Sequence, residues 1–215
     1  NEYMSKLNKP LTICDIGGAA GGVLDLFKSE NNCYLFDFNK PFLKKANEMG
    51  IKTIEGGIDK LNLIKEKPDL VLLSHVLEHF TNVHQELETL IKHLKLGSLV
   101  YVELPGIDSL REGRRAYDFL GDIHKPHVFY FSRGVLNNLM ERHGFKCLKS
   151  NTVISGLYEY TGQIGELINY HNNVFSLLKN AEIKRKLGFP FLHSIKLFIA
   201  SILPRSLKDV LKNHL

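Results

Sequence analysis

Cysteine is scarce in this chain: Cys14, Cys33 and Cys147 are the only three in 215 residues. Three thiols do not build a disulfide framework, and two of them fall in predicted core strands. All three are therefore expected reduced, in a cytoplasmic protein. Also missing is an apolar run long enough to span a bilayer. The longest, residues 189–203, is interrupted by Pro190, His193 and Lys196. There is no secretory signal, no internal repeat and no low-complexity tract. Lys and Arg exceed Asp and Glu by 28 to 23, a formal net charge of +5. The basic residues are spread along the chain rather than gathered in one arm, so no nucleic-acid partner is expected. The chain opens at Asn1 without an initiator Met, which leaves room for further domains of a longer chain.

What is there is the composition of a globular domain, 44% hydrophobic and 24% charged, long enough for one domain with an elaboration. From Leu11 to about Ser150 short apolar runs alternate with helical patterns. Strands are expected over 12–15, 34–36, 52–55, 70–74, 99–103 and 146–151, and helices over 22–28, 40–49, 81–95 and 132–143. Alternation of this kind predicts an α/β fold, a mostly parallel sheet doubly wound by helices. The unbroken run Leu70-Val71-Leu72-Leu73 suits a central strand buried on both faces.

The most informative stretch is Leu11 to Gly22 read with Asp37. A β-branched run ends in Asp15-Ile16 and then in Gly17-Gly18-Ala19-Ala20-Gly21-Gly22, after which a helix pattern begins. Strand, tight turn and helix in that order bring backbone N–H groups up to a ligand with no side chain between. A second strand ends at Asp37, 22 residues beyond Asp15. An acid there is placed to accept hydrogen bonds from two ribose hydroxyls. Gly17-x-Ala19-x-x-Gly22 is a near miss to the dinucleotide fingerprint, with Ala in the middle position.

After the fourth predicted strand comes Ser74-His75-Val76-Leu77-Glu78-His79. With Asp15-Ile16-Gly17-Gly18-Ala19-Ala20-Gly21 and Asp37, this run resembles the class I S-adenosylmethionine-dependent methyltransferases, over roughly residues 8 to 155. The resemblance implies a seven-stranded Rossmann-like sheet and S-adenosyl-L-methionine as methyl donor, with S-adenosyl-L-homocysteine as product. It implies that Asp15, Gly17, Gly18, Ala19 and Gly21 hold the methionine part of the cofactor, that Asp37 holds its ribose, and that Phe38 and Ile58 flank its adenine. Ser74 and His75 would lie beside the sulfonium and the acceptor, and His79 joins the candidate cofactor-binding set. Some family members hold a metal at this position through an acid, acid, His cluster. Here His75 takes the place of the first acid, and no metal is assigned. His75-x-x-Glu78-His79 also matches the H-x-x-E-H helix of a group of zinc proteases. It follows a buried strand instead of lying inside a long helix, and that reading leaves the Gly-rich turn without a role. The plain expectation for His79 is a structural hydrogen bond at a helix start.

A third constellation is His124-Lys125-Pro126-His127-Val128-Phe129-Tyr130-Phe131-Ser132, inside an irregular segment, 105–130, that follows a strand end and is read as a lid. It resembles the H-x-x-H and F-S stretch of small-molecule methyltransferases. This implies that His127 or His124 acts as general base, the alternative being that both position the lid. Arg111, Arg114 and Arg115 share one face if residues 109–119 are helical. They then grip an anionic group of the acceptor, or form a solvated charged face. His75, Arg111, Arg115, Tyr130 and Tyr158 make up the candidate substrate set.

The tail carries Leu192, Ile195, Ile199, Ile202 and Leu203 on one stripe, flanked by Lys184, Arg185, Lys186, Arg205, Lys208 and Lys212. It is expected to pack on the domain or a partner, and is compatible with peripheral membrane contact. The expected organisation is a methyltransferase domain over 1–160 and a helical C-terminal extension over 161–215. The expected activity is transfer of a methyl group to a small polar acceptor, a hydroxyl of a sugar or surface-polysaccharide precursor. A small-molecule or glycan substrate is thus the partner. A non-catalytic module of the same fold, whose C-terminal helix docks a partner or membrane, is the second reading. A nicotinamide-dependent oxidoreductase is the third.

Overall fold

The computed structural model describes Tyr3, residues 10–111 and 118–189, and Phe191, Leu192, Ser194, Ile195 and Phe198. The chain divides into two compact units, residues 1–106 with 126–169, and residues 107–125 with 170–215.

The first unit is built on a seven-stranded sheet: β1 (Thr12–Ile16), β2 (Asn32–Asp37), β3 (Lys52–Glu55), β4 (Leu70–Ser74), β5 (Leu99–Glu103), β6 (Phe145–Ser150) and β7 (Ser155–Tyr160). Their order is β3-β2-β1-β4-β5-β7-β6. β1 to β5 are parallel, and β7 runs antiparallel between β5 and β6. The doubly wound α/β fold is therefore observed. The expected strands 52–55, 70–74 and 99–103 fall on these bounds, and the other three shift by one or two residues. β7 is a strand that sequence pattern did not show. Its Gly156 breaks the apolar alternation, and a Cβ built there would lie 2.5 Å from the Tyr158 ring. A buried tyrosine therefore fills the space that a side chain would need.

Alternation in the strands sorts side chains to two faces. Cys14, Ile16, Val71, Leu73, Val100 and Val102 join Leu87 and Leu90 of α2 (Val83–His93) and Leu136 and Met140 of α4 (Arg133–Arg142) in one core cluster. Ile13, Leu35, Leu70, Leu72 and Leu99 join Leu43 and Ala46 of α1 (Lys40–Glu48) on the opposite face. Each of these helices starts at a side-chain cap: Asn39 accepts from Phe42 N at 3.2 Å, Asn82 from Gln85 N at 3.2 Å and Ser132 from Val135 N at 3.3 Å.

The helix expected over 22–28 is corrected to a single 3₁₀ turn, Leu24–Leu26, with Leu24 its only buried residue. Asn31 stops it there. Its Nδ2 donates to Phe27 O at 2.9 Å, and its Oδ1 accepts from Leu11 N at 3.1 Å. The chain is thereby turned directly into β2.

In the second unit α3 (Phe119–Asp122) and a 3₁₀ turn (Ile107–Arg111) contact α5 (His171–Lys186). Arg185 grips Glu182 through Nε at 2.7 Å and Nη2 at 2.9 Å, and Lys186 Nζ lies 3.4 Å from the same carboxylate. Two of the three basic residues at the end of α5 are thus engaged by an acid. Leu192 and Ile195 of the tail stripe are helical and exposed. Ile199, Ile202, Leu203, Arg205, Lys208 and Lys212 lie outside the described residues. Among the described residues no helix is long and apolar enough to cross a membrane.

The division of the chain departs from the 1–160 and 161–215 expectation at two places. Residues 107–125 of the expected lid group with the tail, while 161–169 stay with the sheet. The second effect has a visible cause: Gly165 N donates to Glu141 O at 3.1 Å, and Ile168 N donates to Asn138 Oδ1 at 3.2 Å, so α4 holds this stretch.

Candidate functional site

β1 pairs with both β2 and β4. The connections after β1 and β4 consequently leave in opposite directions at the carboxyl edge of the sheet. A crevice opens between them, the usual ligand position of such sheets.

On the β1 side the Gly-rich loop is pinned to β2. Gly17 N donates to Phe36 O at 2.7 Å, and Ala19 N donates to Asp37 Oδ2 at 3.0 Å. Gly17 (φ 69°), Ala19 (φ 49°) and Gly21 (φ 78°) all lie in the left-handed region, where an alanine is uncommon. Gly18 is required for a different reason. A Cβ there would sit 2.3 Å from Asp15 Oδ2 and 2.5 Å from Leu35 Cδ1. A Cβ on Gly17 would meet Val76 Cγ2 at 3.0 Å, so the loop lies against the segment after β4.

Asp37 Oδ1 also accepts from Asn39 N, at 2.7 Å. A carboxylate accepts about four hydrogen bonds. Two are used by the backbone, and the remaining lone pairs are free to receive two vicinal hydroxyls of a nucleoside. The acid at the tip of β2 therefore fits the ribose role. Phe38 is 76% exposed beside Gly57 and suits an aromatic ligand. Ile58 is corrected: only 2% exposed, it belongs to the core with Leu61, and its side chain is not presented to a ligand.

Asp15 is 2% exposed, and burial, assisted by the Asp37 charge, pushes its carboxyl up to about 7. It borders a mainly apolar cavity of about 380 Å³, walled by Leu70, Leu72 and Leu157 among others, to which Ser74, Tyr101 and Glu103 also contribute. Tyr101 O–H donates to Glu103 Oε2 at 3.0 Å within it.

On the β4 side the strand ends at Ser74, and His75 takes a left-handed conformation, φ 56°. Histidine enters this region more readily than most residues, and its backbone is held there. Here His75 N donates to Glu103 O at 2.7 Å. A 3₁₀ turn, Leu77–His79, follows, and Glu78 within it is completely buried. Its carboxylate makes no hydrogen bond. His75 Nδ1 lies 3.3 Å from Glu78 Oε1, and His79 Nε2 lies 4.0 Å from the same oxygen. The backbone of Glu78 ties down the segment that carries His127: Val128 N and Phe129 N both donate to Glu78 O, at 2.7 and 3.3 Å. The His127 ring then stands 5.0 Å from that of His79 and 5.6 Å from that of Tyr130.

The structure thus gathers His75, Glu78, His79, His127 and Tyr130, and separately the loop residues with Asp37. His124 belongs to the second unit. Arg115 and the side chain of Arg111 lie outside the described residues, as does Arg114. Tyr158 is corrected as a substrate contact: it is fully buried, and its O–H donates to Asn137 Oδ1 at 2.9 Å. Sequence reading weighed Glu78 as part of a metal motif but assigned it no role. Only its spacing in His75-x-x-Glu78-His79 hinted at a role, and its complete burial is visible only in the fold. Burial pushes the thiols of Cys14 and Cys33 up, Cys33 to about 11, so neither is a nucleophile.

A sequence profile described as a methyltransferase domain matches residues 1–150. No curated protein sequence matches the chain. Among solved structures the chain is similar to a Thermotoga maritima protein titled a possible histamine N-methyltransferase, at 18% identity over 75% of this chain and 81% of that one, with a TM-score of 0.53. A methyltransferase from Mesorhizobium loti is 16% identical over 74% and 95% of the two chains, with a TM-score of 0.55. The CurJ carbon methyltransferase is 14% identical over 74% of this chain and 51% of that one, with a TM-score of 0.55. At these identities the structures show a shared fold.

Two outcomes are expected from the loop geometry. Gly18→Ala forces its methyl against Asp15 and Leu35 and lowers unfolding free energy by about 1–3 kcal/mol in urea titration; an unchanged midpoint contradicts the tight contact. The raised Asp15 carboxyl keeps its proton in the folded protein up to about pH 7, whereas the unfolded chain releases it near the ordinary value. This contribution is largest in acid and is lost as pH rises through that window. Urea midpoints of wild type should therefore fall, relative to Asp15→Asn, between about pH 4 and about pH 8. Parallel curves would refute it.

Proposed function

The chain belongs to the class I S-adenosylmethionine-dependent methyltransferases, and on that premise we propose that it methylates a hydroxyl of a small polar acceptor, a sugar or surface-polysaccharide precursor. S-adenosylmethionine supplies an electrophilic methyl carbon on a sulfonium. Asp37 would bind its ribose through the lone pairs left over from Ala19 N and Asn39 N. Gly17, Gly18, Ala19 and Gly21 would let the backbone approach its methionine part, and Phe38 would face its adenine.

The protein's remaining tasks are alignment and removal of a proton. Holding acceptor and donor in line supplies much of the rate. A hydroxyl is a poor nucleophile near neutral pH and gains from a positioned base, which an amine does not need. The observation that carries the proposal is the set of three imidazoles, His75, His79 and His127, around the buried Glu78. His127 is the first candidate to take the hydroxyl proton, and His124 the second. His75, beside Glu78 at 3.3 Å, is the candidate the geometry adds. Three free cysteines agree with a cytoplasmic site of action.

Isothermal titration should show binding of S-adenosylmethionine and S-adenosylhomocysteine, with at least a tenfold loss of affinity in Asp37→Ala, about 1.4 kcal/mol. Unchanged affinity would remove Asp37 from the site. Turnover with a panel of hydroxyl, amine and carbon acceptors decides the acceptor class. If a hydroxyl is used, His127→Ala is expected to lower kcat by 10²-fold or more, and equal turnover in His127→Ala, His124→Ala and His75→Ala would leave alignment alone as the mechanism.

A further inference from the structure

We propose that Glu78, His79 and His127 form a binding site for one divalent transition-metal ion, zinc being the best match. One ligand atom from each of the three lies within 4.8 Å of the others. Metal–ligand bonds of about 2.0–2.2 Å allow at most about 4.4 Å between two ligand atoms on one ion. The pair Glu78 Oε1 and His79 Nε2, 4.0 Å apart, already lies within that limit, and the whole set lies within a few tenths of an ångström of it.

The independent sign of a missing ligand is Glu78. A carboxylate with no exposed surface and no hydrogen bond to either oxygen is costly in a folded protein. An adjacent cation removes that cost. The tautomer of His79 points the same way. Its Nδ1 lies 3.0 Å from Pro126 O, and a carbonyl only accepts, so Nδ1 carries the hydrogen. The lone pair is then on Nε2, the nitrogen that approaches Glu78 Oε1 at 4.0 Å. A neutral imidazole with its Nε2 lone pair turned toward a carboxylate oxygen offers that nitrogen as a metal ligand. A histidine held by a backbone carbonyl on one nitrogen and free to ligate on the other is the usual support of a metal-bound imidazole. His127 brings the third donor; as a ligand it no longer takes up a proton, and with the ion bound that role in methyl transfer falls to His75 or His124. Two imidazoles and one carboxylate favour zinc or its neighbours over magnesium or calcium, which prefer oxygen ligands. His75 stands at the rim with its Nδ1 3.3 Å from Glu78 Oε1 and its side chain 60% exposed, beside the position left for an exchangeable ligand.

This site does not depend on the identity of the methyl acceptor, and the test needs neither donor nor acceptor. Full-length protein stripped with a chelator is titrated with zinc chloride, and with cobalt(II) chloride for its visible absorption, while thermal unfolding is followed with and without zinc. The expected result is one ion per chain at micromolar affinity or tighter, cobalt bands of a four- or five-coordinate site, and a rise in Tm on adding zinc. Glu78→Gln and His127→Ala should each weaken binding at least tenfold. His79→Ala, a half-exposed position that tolerates truncation, should do the same and keeps the test valid if a buried variant fails to fold. In Glu78→Gln the zinc-dependent rise in Tm should vanish. His84 and His143 form another close pair, Nδ1 to Nε2 at 2.9 Å, so His84→Ala is the control and should bind zinc normally. Absence of stoichiometric binding by folded wild type, wild-type binding in the three site variants, or loss of binding in His84→Ala would each overturn the proposal. The methyl-transfer reading would stand in any of these cases, since donor binding is measured separately.

Discussion

Everything at the site follows from β1 sitting between β2 and β4. Parallel pairing on both sides buries Ile13, Cys14 and Ile16, and it forces the chain to leave β1 and β4 in different directions. The Gly-rich loop and the His75–His79 segment are thereby brought to face one crevice, with Val76 against Gly17. The apolar runs that form these strands do no chemistry. They fix, to within a side-chain rotation, where the two chemically active segments meet.

That placement is bought with local strain and unfavourable burial. Ala19 and His75 hold left-handed backbone conformations, Asp15 is buried with a carboxyl near neutrality, and Glu78 is buried without a hydrogen bond. All four lie at the carboxyl edge of β1 or β4. Elsewhere α1 to α4 start at side-chain caps, the Ser98 hydroxyl donates to Pro68 O at 2.7 Å, and one further left-handed non-glycine residue, Ile154, sits in the turn between β6 and β7. Concentration of unfavourable groups at one edge is the pattern of a site kept for binding or chemistry at some cost in stability.

Most of the sheet was legible in the sequence because parallel, doubly covered strands must be continuous apolar runs. Leu70–Ser74 and Leu99–Glu103 were readable to the residue. β7 was not, because an antiparallel strand with Gly156 in it draws its stability from β5 and β6 rather than from its own composition. The first helix was overestimated, because Asn31 ends it through side-chain bonds that periodicity does not report. In the site, Asp37 and the loop glycines were evident from residue type and spacing. Tyr158 was misjudged, since a tyrosine reads alike in sequence whether its hydroxyl meets a ligand or, as here, Asn137.

By itself the sequence determined the fold class, the cofactor-binding loop, its acid partner and the family, because each of these resides in short segments whose residues act through backbone conformation and local spacing. The tertiary structure decided which polar side chains meet. His127 is far from Glu78 and His79 in sequence, and the bonds from Val128 and Phe129 to Glu78 O, with that between His79 Nδ1 and Pro126 O, bring it to them. Whether a glutamate is a solvated surface charge or a buried carboxylate without a hydrogen bond is a property of what surrounds it, and those surroundings come from distant parts of the chain.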